Sequence, residues 1–397
     1  MKIVALHTDF RIYWPARLKA LNDSLESQNA TLDVIEIAGK GSPYVFSNSQ
    51  ENKMLNWHIL FPQCGPEQLK GKHIRKKLFN LLNKINPDVI IAGAIAFPSG
   101  ALAVQWALHN SRRVIVFDDA KIDSVPRNRI INYVKQSIYD NVDAMLYPAP
   151  DWIKTGLFWG FNKFQMFWGV DVVDNSFWQQ AQSLTQDLGD YFVSIGRQIP
   201  KKNFLTITEA YAKYVDKVGK DSAYNLVMIG EGPEHNRLID FVKSVNLEEK
   251  VSFLPFMQQS ELPAIYQHAK ALCIASDNQE TWGLVINEAM AAGCPIIASK
   301  QCGATNTLVQ ENKNGYTFSC EDTDKLTEHM YSIHRLSPDE LRSMQQCSKM
   351  IISDWNLDRF VKGCINAIDY VSSNCKRHSP KLKHLITMSW NGQYKPV

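Results

Sequence analysis

The chain of 397 residues lacks several things at once. No apolar run reaches the roughly 20 residues that a membrane-spanning helix needs. No Cys-x-x-Cys pair occurs among the eight cysteines, Cys64, Cys273, Cys294, Cys302, Cys320, Cys347, Cys364 and Cys375. Their scatter excludes a disulfide framework and a zinc ribbon, and several fall in apolar segments, so they read as buried thiols in a reducing cytoplasm. The first segment, Met1-Lys2-Ile3-Val4-Ala5-Leu6-His7, has neither the apolar core nor the cleavage site of a signal peptide and reads as a first buried strand. The loop after it, His7-Thr8-Asp9-Phe10-Arg11-Ile12-Tyr13-Trp14-Pro15, contains no Gly-x-Gly-x-x-Gly, which argues against a nicotinamide-binding first domain. The basic segment 70–79 has no aromatic ladder beside it, so nucleic acid is not an expected partner.

What is present is an ordinary globular composition, 45% apolar, over a length that fits two domains. Charge is unevenly spread. Residues 1–170 carry 20 Lys+Arg against 14 Asp+Glu, residues 171–372 carry 18 against 26, and residues 373–397 carry five basic residues and no acid. The first half and the tail therefore share a sign, which suits a tail packed near the first half or acting with it at an anionic surface. Segment 70–79 alternates basic and apolar residues. It is either a solvated helix face or a patch that rests on anionic lipid with its apolar side dipping in, a peripheral contact with the inner face of a membrane.

Apolar runs and helical stretches alternate along the chain. Strands are expected at 2–6, 32–37, 57–61, 88–92, 114–117, 144–147 and 165–168, with helices at 16–27, 74–85, 101–108 and 129–140. A polar stretch, 171–190, reads as a linker. A second series has strands at 191–195, 225–229, 251–254, 271–275, 295–298 and 316–318, with helices at 204–217, 234–245, 261–268, 284–292 and 324–333. Continuous apolar strands between helices predict two doubly wound parallel sheets, each taking ligands beyond the carboxyl ends of its strands. Region 339–371 reads as largely helical.

The most informative segment is Glu280-Thr281-Trp282-Gly283-Leu284-Val285-Ile286-Asn287-Glu288-Ala289-Met290-Ala291-Ala292-Gly293-Cys294-Pro295. It places two glutamates around a helix start. Gly283 permits close backbone approach, and Gly293 with Pro295 ends the helix. The amides of Trp282 to Val285 have no intrahelical acceptors and favour an anion. Glu288, one to two turns inside, suits ribose hydroxyls, and Glu280 suits the hydroxyls of a second sugar. A bland alternative is a surface helix with two solvated glutamates. A second motif, Gly196-Arg197-Gln198-Ile199-Pro200-Lys201-Lys202-Asn203, follows the strand 191–195. Its glycine frees the turn, and its cations suit a leaving group that gains negative charge. Gly230-Glu231-Gly232-Pro233 follows the strand 225–229.

Together these motifs resemble the retaining, nucleotide-sugar-dependent glycosyltransferases of family 4 (glycosyl transferases group 1), whose fold is GT-B, two Rossmann-like domains facing a central cleft. The paired-glutamate segment is similar to the family's Glu-x-(Phe/Trp)-Gly-Leu-x-x-x-Glu-Ala-Met-Ala-x-Gly-x-Pro-Val, and 196–203 to its Gly-Arg-x-x-x-x-Lys-(Gly/Asn). The resemblance covers 190–320 strongly and the first domain weakly. It implies transfer of a sugar with retention, without a bound metal or other cofactor, by front-side attack of an acceptor hydroxyl. The acceptor class it implies is a saccharide or a lipid-linked saccharide, as in glycan or surface-polysaccharide biosynthesis. Arg197 and Lys202 are assigned to the diphosphate, Glu280 to the transferred sugar and Glu288 to the ribose. Gly196, Gly230, Gly232, Leu254 (in Phe253-Leu254-Pro255-Phe256), Trp282, Gly283, Leu284 and Val285 line the donor.

The implied organisation is an acceptor domain at 1–170, a linker at 171–189 and a donor domain at 190–354. A helix and tail at 355–397 return to the first domain, with Trp355 and Phe360 at the crossing. Trp168-Gly169-Val170-Asp171 resembles a structural turn of the family. Two features depart from the pattern. The acid that the family places after Gly303-Ala304-Thr305-Asn306 is missing. Where relatives carry a histidine facing the donor sugar, this chain has Asp118-Asp119. Asp118 either contacts the sugar as a member of the catalytic set or caps local backbone; Asp119 and His7 are further polar candidates, and His7 at the end of a buried strand also reads as a core residue. The alternative function is a non-catalytic relative that holds a nucleotide sugar or glycan. A third class, an epimerase, would alter the sugar without an acceptor.

Overall fold

The structure is a computed structural model that describes residues 1–40, 55–124, 128–180, 183–184, 186–374 and 381–393. Cys375 and Tyr394 lie outside the described residues. The chain divides into two compact units, Met1–Val172 with Leu357–Val397, and Val173–Asn356.

The first unit is built on seven strands, β1 (Lys2–His7), β2 (Thr31–Ala38), β3 (Asn56–Phe61), β4 (Val89–Ala92), β5 (Arg113–Phe117), β6 (Ala144–Tyr147) and β7 (Met166–Trp168). All pair in parallel, in the order β3-β2-β1-β4-β5-β6-β7. The second unit has β8 (Tyr191–Ile195), β9 (Asn225–Ile229), β10 (Val251–Leu254), β11 (Ala271–Ile274), β12 (Ile296–Ser299) and β13 (Gly315–Phe318). Its order, β10-β9-β8-β11-β12-β13, is again all parallel. In each sheet the chain starts in the middle, winds outward one way, then returns to wind the other way. This leaves a switch point between β1 and β4 and another between β8 and β11, where the following helices lie on opposite faces and a crevice opens.

The central strands are buried on both faces, which is why they read as unbroken apolar runs. In the first unit, Ile3, Ala5, Val34, Ile91 and Leu146 pack with Leu18 and Leu21 of the helix Trp14–Glu26 and with Phe360, Cys364 and Ile368 of the helix Leu357–Ser373. Each such aliphatic side chain contributes about 1.5–3 kcal/mol of burial, so the last long helix is part of this core. In the second unit Phe192, Met228, Cys273 and Ile297 pack on Tyr211, Tyr214 and Met330.

Two expectations change, and the crossing between Trp355 and Phe360 is located. The 171–190 stretch is not wholly a linker: Asn175–Trp178 forms a short helix, and Trp178 packs edge-on to Tyr266 with ring centroids 5.8 Å apart. Trp355 and Phe360 end up in different units: Trp355 lies against Trp282 at 5.7 Å, and Phe360 against Trp14 at 6.0 Å. The apolar side of the helix Gly71–Ile85 does not face outward, because Ile74, Leu78 and Leu82 are all buried. Only its solvated basic face remains, and Lys77 is spent on the Phe61 ring and the Leu60 carbonyl.

The tail carries an unexpected helix, Lys381–Ser389. It packs on Arg129–Tyr139. Thr387 Oγ1 accepts from Asn141 Nδ2 at 3.1 Å, and Lys383 pairs with Asp140. Beyond it, Trp390 Nε1 donates to Ile95 O at 2.8 Å and Gln393 N to Ala96 O at 2.8 Å. Among the described residues no helix is long and apolar enough to cross a membrane.

Candidate active site

At the switch point of the second sheet, the loops leaving β8 and β11 carry opposite charges to one another. Lys202 Nζ lies 2.7 Å from Glu280 Oε2, with only 15% and 13% of the two side chains exposed. The geometry starts from local backbone preferences. Pro200–Lys202 forms one tight 3-10 turn, and Asn203 ends it at φ 51°, a left-handed conformation that Gly or Asn tolerates. Asn203 is then fixed by its own side chain, which donates to Cys320 O at 2.8 Å and accepts from Thr206 Oγ1 at 3.0 Å. Asp277 N donates to Lys201 O at 2.9 Å, so the two loops are joined through backbone as well as charge.

Gln198, which the motif leaves unspecified, holds a third loop in place. Fully buried, it donates to Gly230 O at 2.8 Å and lies 2.7 Å from His235 Nδ1, while its backbone pairs with Glu231 O and Glu234 N. The loops approach so closely that a Cβ on Gly230 would stand 2.2 Å from Gly196 O, and one on Gly232 2.4 Å from Gln198 O. Gly230 N donates to Leu254 O at 3.0 Å, which brings the end of β10 to the same rim. Arg197 is half-buried on this rim.

The segment 280–283 is held from below. Gly303 N donates to Glu280 O at 3.1 Å and Ala304 N to Trp282 O at 2.8 Å. Gly303 is required there, because a Cβ would lie 1.8 Å from Thr281 O. The buried Trp282 indole donates to Asn287 Oδ1 at 2.8 Å, so this side chain belongs to the scaffold. Gly283, at φ 98°, starts the helix Leu284–Ala292, and the amides of Leu284 and Val285 precede the first full helical turn. Burial and nearby Glu280 push the Cys302 thiol up to about 12, which makes it a neutral packing group.

Glu288 sits deeper than a solvated helix residue would: it is 3% exposed, and its Oε2 accepts from Tyr266 O–H at 2.7 Å. The second unit thus joins Gly196, Gly230, Gly232 and Leu254 on one rim and Lys202 to Glu280, while Glu288 lies on the helix that Gly283 starts, against Tyr266. Gln198 and Tyr266 were not legible as site residues, since each acts through contacts more than 20 residues away. Asn203 had a signal, an Asn directly after a Pro-Lys-Lys turn.

Asp118 lies in the first unit, at the end of β5. Its Oδ1 accepts from Ala120 N at 2.9 Å and its Oδ2 from Tyr139 O–H at 3.0 Å. Of the two expectations for it, this geometry is that of the local turn. Burial, then Asp119, raise its pKa to about 6. Asp171, beside Arg17 at 4.0 Å, is raised to about 7 by burial and Asp119.

The sign follows from linkage. A carboxyl with a raised folded-state pKa holds its proton in the fold where the unfolded chain has lost it. Its contribution to stability therefore falls as pH rises from about 4 to 6 and stays low above that. Asp118→Asn keeps the bond from Ala120 N and reverses the other, its Nδ2 donating to the Tyr139 phenol oxygen, so the variant should gain on the parent across that window, by on the order of 2 kcal/mol. Denaturant melts at pH 4.5 and 7.5 check this; a pH-independent difference would refute it.

Two parallel doubly wound sheets of this order, with a cation–carboxylate pair and a glycine-lined rim at the second switch point, define the two-domain GT-B fold class. Residues 177–349 match the family "Glycosyl transferases group 1", and this segment belongs to that family. The chain is 26% identical over 209 residues to the alpha-monoglucosyldiacylglycerol synthase of Acholeplasma laidlawii, covering 51% of this chain and 50% of that one. It is 29% identical over 140 residues to the N-acetyl-alpha-D-glucosaminyl L-malate synthase of Bacillus anthracis, covering 35% and 34%. These matches span half or less of the relatives' own length. In overall fold the chain is similar to Anabaena Alr3699/HepE in complex with UDP, with a TM-score of 0.70 at 14% identity over 93% of this chain and 100% of that one.

Proposed function

We propose that the protein transfers a sugar from a nucleoside-diphosphate sugar to a hydroxyl of a saccharide or lipid-linked acceptor, with retention. The observation that carries this is the Lys202–Glu280 pair across the switch point, at 2.7 Å. Arg197, Lys202 and the 282–285 amides stabilise the diphosphate as it leaves. Glu280 orients the transferred sugar and Glu288 the ribose. The C1–O bond to the diphosphate breaks, the acceptor oxygen bonds C1 on the same face, and the acceptor proton passes to a leaving phosphate oxygen. No metal is needed in this scheme, because fixed cations carry the charge; activity should persist in EDTA. Asp118, with each oxygen already engaged, is kept out of the catalytic set. Arg197, Lys202, Glu280 and Glu288 weigh against the non-catalytic alternative, since a purely structural role has no need of them together.

A neighbour solved with UDP-glucose makes that the first donor to try, and relatives named as a monoglucosyldiacylglycerol synthase and a glucosaminyl L-malate synthase make one neutral and one charged acceptor the first two. Free nucleotide is measured across a panel of nucleotide sugars. Release that depends on an acceptor supports the proposal. Saturable binding with no release under any acceptor would favour the holding protein, and an altered sugar without acceptor the epimerase.

Peripheral contact with an anionic bilayer is part of this reading. It rests on Arg129–Tyr139, where Ile130, Ile131 and Tyr133 are 74%, 55% and 50% exposed beside Arg129 and Lys135. Sedimentation with phosphatidylglycerol vesicles should weaken about tenfold in Ile130→Ser/Ile131→Ser. An unchanged pellet fraction would remove this helix from the reading.

A further inference from the structure

The first sheet has its own switch point, between β1 and β4, and the loops that flank it hold an unusual set of polar groups. Arg11, in the loop after β1, is 4% exposed, yet all three of its guanidinium nitrogens lack a hydrogen-bond partner. Its nearest opposite charge is Asp9, whose Oδ1 stays 4.0 Å from Nε, beyond hydrogen-bond reach. Thr8 Oγ1, on the same loop, and Ser99 Oγ, on the first turn after β4, are also buried and unpartnered. So is His7 Nδ1. Burial draws the pKa of His7 down, so its ring is neutral near pH 7.

These groups are not scattered. A Cβ built on Gly93 would stand 2.5 Å from His7 Nδ1 and 3.3 Å from Ser99 Oγ, so both atoms lie close against this one residue. Ser99 opens the 12-residue helix Pro98–His109, which has no acid in its first turn. Its leading amides add partial positive charge on the same side of the sheet.

A buried hydroxyl or imidazole without a partner is unfavourable, and a buried guanidinium far more so, because arginine cannot shed its proton. Ordinary packing gives no reason to keep four such side chains on the segments that follow β1 and β4. An oxyanion does: it accepts from a guanidinium fork and from hydroxyls at once. The crevice is also where open α/β sheets take their ligands.

We propose that Arg11, with His7, Thr8 and Ser99, forms an anion-binding subsite in the first unit that takes a phosphate or carboxylate group of the acceptor. Only the word acceptor rests on the transferase reading; the affinity for an oxyanion does not. The acceptor would then be a charged molecule, and Arg11 would select it against neutral ones of the same shape.

The test uses the full chain carrying Arg197→Ala and Lys202→Ala, which removes both donor-side cations that would also bind phosphate. Inorganic phosphate and acetate are titrated separately by calorimetry, with thermal melts alongside. Saturable binding of either ion is expected, and the tighter one identifies the group as phosphate or carboxylate. Arg11→Met should weaken that binding by at least about tenfold, and Arg11→Lys should retain part of it. Without ligand, Arg11→Met should melt no lower than its parent, because an apolar chain of similar length replaces an unpaired buried charge. Absence of saturable binding for both ions overturns the proposal, as does an unchanged dissociation constant in Arg11→Met; should that variant not fold, an unchanged constant in Arg11→Gln does the same. Anion binding without any sugar transfer in the panel would fail the transferase reading alone.

Discussion

Lys202→Ala is expected to lower turnover by about 10²- to 10³-fold while weakening nucleotide binding by less than about tenfold. The asymmetry follows from where charge appears. In the ground state the diphosphate is already anionic and shared among Arg197, Lys202 and the helix amides. As the bond to the sugar breaks, further charge collects on the leaving oxygen, and a fixed ammonium there is worth more in the transition state than before it. The structure adds a complication that the sequence did not suggest. Lys202 is paired with Glu280 at 2.7 Å, and both side chains are mostly buried, so alanine at 202 also strands a carboxylate. Breaking such a pair costs stability in its own right. The variant should therefore melt lower than the parent, and kinetics must be read below its transition. Lys202→Met/Glu280→Gln separates the effects, since it removes both charges. Its melting temperature should recover most of the loss, and its turnover should not. Unchanged turnover in a folded Lys202→Ala chain would remove Lys202 from the phosphate role.

Much of this architecture was legible because parallel strands covered on both faces announce themselves. All thirteen strands of the described residues overlap the apolar runs that predicted them, and the helix Leu284–Ala292 has the bounds that Gly283 and Gly293 set. What was illegible depended on partners far away in sequence. The pattern of 70–85 showed an amphipathic helix but not which surface its apolar face meets; that surface is the core. The tail's basic composition hid a helix whose Lys383 and Thr387 serve Asp140, Ser137 and Asn141. The local turn of Asp118 became visible only once Ala120 N and Tyr139 O–H were seen on its two oxygens. The motif residues Lys202 and Glu280 were each assigned a ligand, but nothing local said they would meet each other.

Glu288→Ala should weaken nucleotide binding by about 10- to 100-fold, the range that corresponds to losing one or two hydrogen bonds to a charged acceptor. Burial makes the effect large: a carboxylate 3% exposed competes poorly with water and well with a bound hydroxyl. It also makes alanine an ambiguous probe, because Tyr266 O–H, 2.7 Å from Oε2, would lose its acceptor and a void would open. Glu288→Gln keeps the volume and still accepts from Tyr266, so it isolates the charge. Tyr266→Phe removes only the hydroxyl that steadies the carboxylate and should cost less. The decisive comparison is chemical. If Glu288 reads the ribose, the parent chain prefers UDP over its 2′,3′-dideoxy counterpart, and Glu288→Gln loses most of that preference while Tyr266→Phe keeps it. Equal discrimination in parent and Glu288→Gln would mean that the ribose is read elsewhere. Glu288 would then be a buried scaffold residue tying its helix to Tyr266, and the second glutamate of the motif would hold the donor loop in shape without touching the donor.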